Sequence, residues 1–165
     1  MAGSILATDR ADGGAPTRPL TPGERALAAS IFDGAIDYGR VRLHRRRWWP
    51  LQPRGVCMAP DGHLWFHPGG ELWCDDFATA SIGLQGFFLH EMTHVWQAQT
   101  RGRWWLPLMR HPFCRYGYVL EAGKPFDRYG IEQQAEIVRH AFLARRGGTI
   151  GEASAYEALL PFLEQ

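Results

Sequence analysis

The stretch from Ser81 to Gln99, SIGLQGFFLHEMTHVWQAQ, decides the fold of this 165-residue chain. Apolar side chains occur at nearly every helical angle along it: Ile82, Leu84, Phe87, Phe88, Leu89, Met92, Val95 and Trp96. A helix that is apolar on all sides is buried inside a domain. The stretch therefore predicts a buried helix over 81–99, with the rest of the chain packed around it.

The centre of this predicted helix is polar and reads His90-Glu91-Met92-Thr93-His94. Residues four apart share a helix face, so the imidazoles of His90 and His94 can bind one metal ion. Zinc would lower the pKa of a bound water from about 15.7 toward about 7, and Glu91 would accept that proton and pass it to a leaving amine. The alternative is two core histidines with hydrogen-bond partners, since unpaired polar groups in such a helix would be costly.

A catalytic zinc site needs a third protein ligand. The metzincin extension of the motif would require Gly at position 97 and His at position 100, but these are Gln97 and Thr100. The better source is a helix predicted over 128–146, in which Glu132 and Glu136 lie one turn apart. Either acid could bind the metal while the other supports a ligand histidine. An ordinary solvated helix face is the alternative.

Four segments together resemble a known family: GRVRLHRRRWWP (39–50), MAPDGHLWFH (58–67), HEMTHVWQ (90–97) and YGIEQQAEIVRHAF (129–142). They are similar to small bacterial zincin-like proteins labelled Vgr-related or Rhs-element-associated, which belong with a wider set of HELTHVxQ metallopeptidase domains. The resemblance covers about residues 20–146.

The resemblance implies a compact α+β, gluzincin-like fold, in which a short antiparallel sheet or hairpin packs on an active-site helix and a glutamate-bearing helix follows. It also implies that the first acid of the second motif, Glu132, binds the metal and that Glu136 orients a histidine. This chain has Glu136 where Asp is commoner in the family, and the longer side chain leaves the two roles partly exchangeable.

A zinc hydrolase also needs a group that stabilises the developing oxyanion, commonly Tyr, His or Arg on a neighbouring element. Tyr129 and His140 are the first candidates because both are close in sequence to the predicted ligand Glu132. Further candidates are Tyr116, Tyr118 and Arg139. Packing or a surface position is the alternative for each of these side chains.

The rest of the chain predicts a single domain over 21–165 behind a leader. Residues 1–20 are rich in Gly, Ala, Pro and Asp without apolar periodicity, which predicts disorder. Thr21, Pro22 and Glu24 form a capping-box pattern for a helix over 22–33. The other expected strands are one over 40–44, a hairpin of 55–59 and 63–67, and a candidate strand over 71–74. Residues 100–127 are expected to be irregular, with an extended piece at 116–120. A last helix is expected over 152–160.

The composition excludes several classes of protein. Seven Trp and nine Phe with 21% charged residues exclude disorder throughout, and no apolar stretch approaches the roughly 20 residues of a membrane span. Residues 1–15 lack a basic segment followed by an apolar one, so we expect no Sec export and a cytoplasmic location, with non-classical secretion left open. Three cysteines fit reduced thiols.

The net charge of +1 hides strong local differences. Residues 61–100, which include the predicted metal-binding helix, contain five acids and no Lys or Arg, and this suits a bound cation. The HRRRWW run at 44–49 could grip phosphates and stack bases. A solvated basic turn with core tryptophans is the simpler interpretation, so nucleic acid is not the expected partner.

The sequence thus favours a zinc-dependent hydrolase that cleaves peptide or amide bonds in a peptide or protein substrate. The alternative is an interaction protein associated with a secretion system or an Rhs element, whose zinc site is structural or inactive. The intact Glu91 argues against that alternative because a structural zinc site has no need of a base.

Overall fold

Four short strands form one mixed sheet in the computed structural model, which describes residues 17–102, 104–109 and 115–162. The strands are β1 (Thr17–Pro19), β2 (Arg42–His44), β3 (Cys57–Met58) and β4 (Leu64–Phe66), in the spatial order β1-β2-β4-β3. The pairs β1–β2 and β3–β4 are antiparallel, whereas β2 and β4 run parallel. The predicted hairpin is confirmed, and the sheet is mixed because β3 and its turn reverse the chain before β4.

Five α-helices accompany the sheet in the described part of the chain. They are α1 (Pro22–Phe32), α2 (Ile82–Arg101), α3 (Trp105–Met109), α4 (Ile131–Arg145) and α5 (Ala153–Glu157). All except α3 match a predicted helix to within a few residues at each end. The α+β fold class expected from the sequence is confirmed. Residues 71–74 and 116–120 form no strand.

One apolar core joins the sheet to α2. Leu43 of β2 and Leu64 of β4 are fully buried and share this core with Phe88 and Met92 of α2. On its other side α2 packs along α4. Gly86 lies at this contact, and a Cβ there would sit 3.4 Å from side-chain atoms of Arg139 and Leu143. The buried middle of α2 is therefore held between the sheet and α4.

The predicted leader is wrong for its last residues. Residues 1–16 lie outside the described residues, but Thr17–Pro19 form the terminal strand β1. The side chain of Arg18 binds both carboxylate oxygens of Glu24, each at 2.8 Å. The sequence pattern could not show this pairing because it depends on a buried acid in the following helix.

Glu24 is fully buried and ties three segments together. Besides binding Arg18, it accepts hydrogen bonds from the backbone N–H groups of Thr21 and Phe77. The Thr21 hydroxyl in turn accepts from the Glu24 N–H at 3.0 Å, which completes the predicted capping box. The start of α1 is thereby fixed to β1 and to the segment before α2.

Among the described residues, no helix is long and apolar enough to cross a membrane.

Replacing Glu24 with Gln should lower the free energy of unfolding by about 3 kcal/mol, because the mostly buried Arg18 guanidinium loses its ionised partner. Chemical denaturation measures the change. The matched control is Glu121→Gln, since the Glu121 side chain is 60% exposed in its pair with Lys124 and should contribute less than about 1 kcal/mol. Equal effects of the two substitutions would contradict this account.

Candidate metal centre

The packing of α2 against α4 brings together the three predicted ligands His90, His94 and Glu132. All three residues are buried, and their potential ligand atoms lie within 4.8 Å of one another. His90 Nε2 is 3.4 Å and His94 Nε2 is 3.2 Å from the same oxygen, Glu132 Oε2. This cluster could hold a metal ion.

These separations fit ligands of one ion. Two atoms bound to a tetrahedral zinc at about 2.0–2.1 Å lie about 3.3–3.4 Å apart. His94 Nε2 makes no hydrogen bond with any described residue although it lies 3.2 Å from the Glu132 carboxylate. A buried nitrogen without a hydrogen bond costs free energy, and a cation shared with the carboxylate would remove that cost.

A chain of amide groups sets the orientation of His94. Gln134 Nε2 donates to the backbone carbonyl of Tyr129, which leaves Gln134 Oε1 to accept from Gln97 Nε2 at 2.9 Å. Gln97 Nε2 also donates to the carbonyl of Ile131. The Gln97 amide oxygen therefore faces His94 Nδ1, at 2.9 Å, and accepts a hydrogen bond from the Nδ1–H group. His94 then presents the lone pair of Nε2 to the cluster.

A carboxylate performs the same task for His90. Glu136 Oε1 lies 2.8 Å from His90 Nδ1, so the carboxylate faces the Nδ1–H group and Nε2 is turned toward Glu132. The structure thus brings Glu132 to both imidazoles and Glu136 to the outer nitrogen of one. This is the arrangement that the family resemblance implies for the two acids.

The charge balance of the cluster is negative. Burial lowers the pKa of His90, but hydrogen bonds with Glu132 and Glu136, together with the nearby charge of Glu91, raise it to about 9. The hydrogen bond with His90 in turn lowers the pKa of Glu136. Three carboxylates close to two imidazoles favour a positive charge at this place, as a bound cation would supply.

Glu91 is buried, and one of its carboxylate oxygens has no hydrogen bond with the described residues. The residue is 5% exposed, and its Oε2 has no hydrogen-bond partner among the described residues. A buried carboxylate oxygen without a partner is costly. Its position directly after His90 makes it available to a molecule that enters the cluster.

The two favoured oxyanion candidates have other contacts. The Tyr129 hydroxyl accepts from the N–H of Glu121 and donates to the carbonyl of Val119, so it anchors the segment before α4. His140 lies between Tyr118, at 2.5 Å, and Glu136, at 3.4 Å. It therefore reaches the cluster only through Glu136.

Tyr116 is the aromatic candidate that lies beside a predicted ligand. Its ring is stacked on that of His90, with 6.3 Å between centroids and 15° between planes. Tyr116 is also half exposed, which is suited to a side chain that meets substrate. From the sequence Tyr116 is only a further candidate, because the irregular segment that contains it has no periodicity from which its position could be predicted.

Two cavities adjoin the cluster of His90, His94 and Glu132. A cavity of about 470 Å³ is lined by Glu132, and another of about 290 Å³ is lined by His94. A larger cavity, of about 850 Å³, lies elsewhere, between the end of α2 and α5. An open approach to the ligands is typical of catalytic rather than structural zinc sites.

Sequence reasoning missed Gln97 and Gln134. Gln97 is fully buried and lies three residues after His94 on the same face of α2. A polar residue at that spacing from a predicted ligand is a usable signal. Its partner Gln134 could not be paired with it from the sequence, because the pairing depends on the packing of α2 against α4.

Replacing Gln97 with Leu should weaken zinc binding about 10–100-fold, because the His94 Nδ1 proton loses its acceptor and the ring is no longer oriented. Gln97→Glu keeps an acceptor oxygen and should recover part of the affinity. Competition with a chelating dye measures both.

Gln99→Leu on the same helix is the control, since Gln99 bonds only to the backbone of Asp37 among the described contacts. Zinc affinity as high in Gln97→Leu as in Gln99→Leu would show that Gln97 does not position the ligand.

Comparisons with known proteins find close relatives of this chain. It is 41% identical over 161 residues to the type VI secretion system spike protein VgrG2b of Pseudomonas aeruginosa, and the match covers 93% of this chain and 15% of that protein. The chain thus spans about one seventh of the length of this curated relative. No protein-family model matches the chain.

A solved structure covers the same region as a separate domain. The effector domain of Pseudomonas aeruginosa VgrG2b is 39% identical, with a TM-score of 0.68, and the match covers 89% of this chain and 84% of that one. Identity at this level over nearly the full length of both chains shows common descent as well as a common fold. This chain belongs to the family of the VgrG2b effector domain.

Proposed function

We propose that this chain is a secretion-associated effector domain that hydrolyses peptide bonds with zinc. The observation that carries the proposal is the buried, unpartnered oxygen of Glu91 beside the cluster of His90, His94 and Glu132. A structural metal site gains nothing from a buried carboxylate oxygen that binds neither metal nor protein. A hydrolase needs such a group as its base.

His90, His94 and Glu132 would hold the zinc, which when bound acidifies water and polarises a carbonyl oxygen. Gln97 and Glu136 keep the two imidazoles turned toward it. Glu91 accepts a proton from the attacking water at its free oxygen and returns it to the leaving amine. Tyr116, whose ring is stacked on that of His90, would donate a hydrogen bond to the oxyanion.

A terminal strand of the sheet supports a peptide as substrate. β3 pairs with β4 on one side and ends the sheet on the other. An extended peptide can add to such an edge by backbone hydrogen bonds. Met58 at the end of β3 lines the cavity that also contains His94, so a peptide on this edge would pass the cluster.

The similarity to a spike protein and to its effector domain supports delivery by a type VI secretion system. The partner in delivery would be a spike component of that system. The same similarity favours a second candidate, an interaction domain with a structural or inactive zinc site. The two candidates differ in what they require of Glu91.

Glu91→Gln should lower peptide hydrolysis by the zinc-loaded protein at least about 100-fold, because the amide cannot accept the proton. Zinc content should stay near one equivalent, since Glu91 lies outside the ligand cluster. Cleavage of a mixture of unstructured peptides, read by mass spectrometry, measures the activity.

The matched control is Glu71→Gln, which should retain full activity. Glu71 is an exposed acid between β4 and α2. Peptide hydrolysis by Glu91→Gln at the wild-type rate would exclude the proposed base. No hydrolysis by the wild type, with zinc bound, would favour the interaction domain.

Tyr116→Phe should lower kcat about 100-fold with little change in zinc content, because one donor to the oxyanion is lost. Tyr129→Phe should instead lower the free energy of unfolding by about 1 kcal/mol, since its hydroxyl binds the backbone of Glu121 and Val119. Steady-state kinetics and chemical denaturation on both variants check this. A loss of kcat in Tyr129→Phe, with kcat unchanged in Tyr116→Phe, would make Tyr129 the oxyanion donor.

A further inference from the structure

A cavity of about 290 Å³ opens directly beside His94. It lies between the loop that follows β2, the end of β3 and the start of α3. Its walls are almost entirely apolar, and they consist chiefly of Trp48, Trp49, Met58, Ala59, Leu106 and Pro107. Among the described residues, His94 is the one titratable side chain that lines it.

The two tryptophans are only partly buried in the described structure. Trp48 is 36% and Trp49 is 43% exposed, whereas Leu106 at the opposite wall is 3% exposed. Exposed apolar side chains that adjoin one another and line a cavity are typical of binding sites. The basic and aromatic run at 44–49 thus contributes the open wall of this cavity.

Hydrogen bonds hold this wall in place. Gln52, which is 3% exposed, accepts from the N–H of Trp48 and donates to the carbonyls of Val56 and Trp65. The ring of Trp48 packs edge-on against Trp65, with 5.3 Å between centroids. The cavity is therefore formed before any ligand arrives, and binding would cost little ordering.

The arginines of the same run are occupied within the molecule. Arg46 lies over the ring of Trp65, at 4.9 Å, and Arg45 lies over that of Trp73, at 5.8 Å. Arg47 donates to His67. In the part of the chain that the structure describes, no Lys, Arg, Asp or Glu side chain lines the cavity, so a charged group entering it would lose hydration without a counter-charge from these walls.

We infer that this cavity binds a large apolar side chain of the peptide substrate, aromatic or branched aliphatic, in the residue next to the cleaved bond. That a peptide bond is cleaved here rests on the proposed function. That the cavity takes the residue next to this bond follows from its lining, which includes both His94 and Met58 at the end of β3. Burial of a phenylalanine side chain favours binding by about tenfold to a hundredfold over alanine.

The first test measures binding without requiring zinc or catalysis. N-acetyl-L-phenylalaninamide should shift the indole N–H resonances of Trp48 and Trp49 in a ¹⁵N-labelled sample, and N-acetyl-L-alaninamide should not. Trp49→Ala should abolish the response of Trp48. Leu51→Ala, a matched change at a 75% exposed residue in the same loop and outside the cavity, should preserve it.

Equal shifts from the two amides, or unchanged binding in Trp49→Ala, would overturn the pocket. So would a stronger response of the same indoles to adenosine monophosphate, which would assign the tryptophans to base stacking.

The second test measures selectivity. In peptides that differ at one position beside the scissile bond, kcat/KM should be at least about tenfold higher for Phe or Leu than for Ala, Asp or Lys, and Trp49→Ala should remove most of this ratio. Cleavage without such a preference would overturn the inference. If no peptide is cleaved, the proposed function fails, and the indole spectra alone decide the pocket.

Discussion

The burial of polar side chains on α2 is the constraint on which the rest of the structure depends. Five such residues lie in the buried part of this helix: His90, Glu91, Thr93, His94 and Gln97. A helix of this kind can be buried only if neighbouring elements supply partners for it. The Thr93 hydroxyl finds one in the preceding turn, at the carbonyl of Leu89, but the others depend on α4 or on a ligand.

Three side chains of α4 supply such partners: Glu132 and Glu136, which lie one turn apart, and Gln134 between them in sequence. Glu132 meets both imidazoles, Glu136 accepts from His90, and Gln134 completes the amide chain to Gln97. The same packing that buries the apolar side of α2 therefore also builds the cluster, so that fold and site are stabilised together.

Much of this could be predicted from the sequence where the signal is local. The capping box at Thr21 and Glu24, the helices and the β3–β4 hairpin follow from short-range patterns, and the spacing of His90, Glu91 and His94 marks the site. Contacts between segments that are distant in the sequence have no such local pattern and could not be predicted. The strand β1, the parallel pairing of β2 with β4, the Gln97–Gln134 hydrogen bond and the cavity beside Trp49 all depend on tertiary packing.

The central claim is that His90, His94 and Glu132 bind one zinc ion and leave a position open to substrate. Anomalous diffraction at the zinc edge from crystals of the zinc-loaded protein tests it most directly. The account predicts a single strong peak within about 2.0–2.2 Å of the two Nε2 atoms and of a Glu132 oxygen, with a non-protein fourth ligand. A peak with four protein ligands, a peak at Glu136 in place of Glu132, or no peak at this cluster would contradict it.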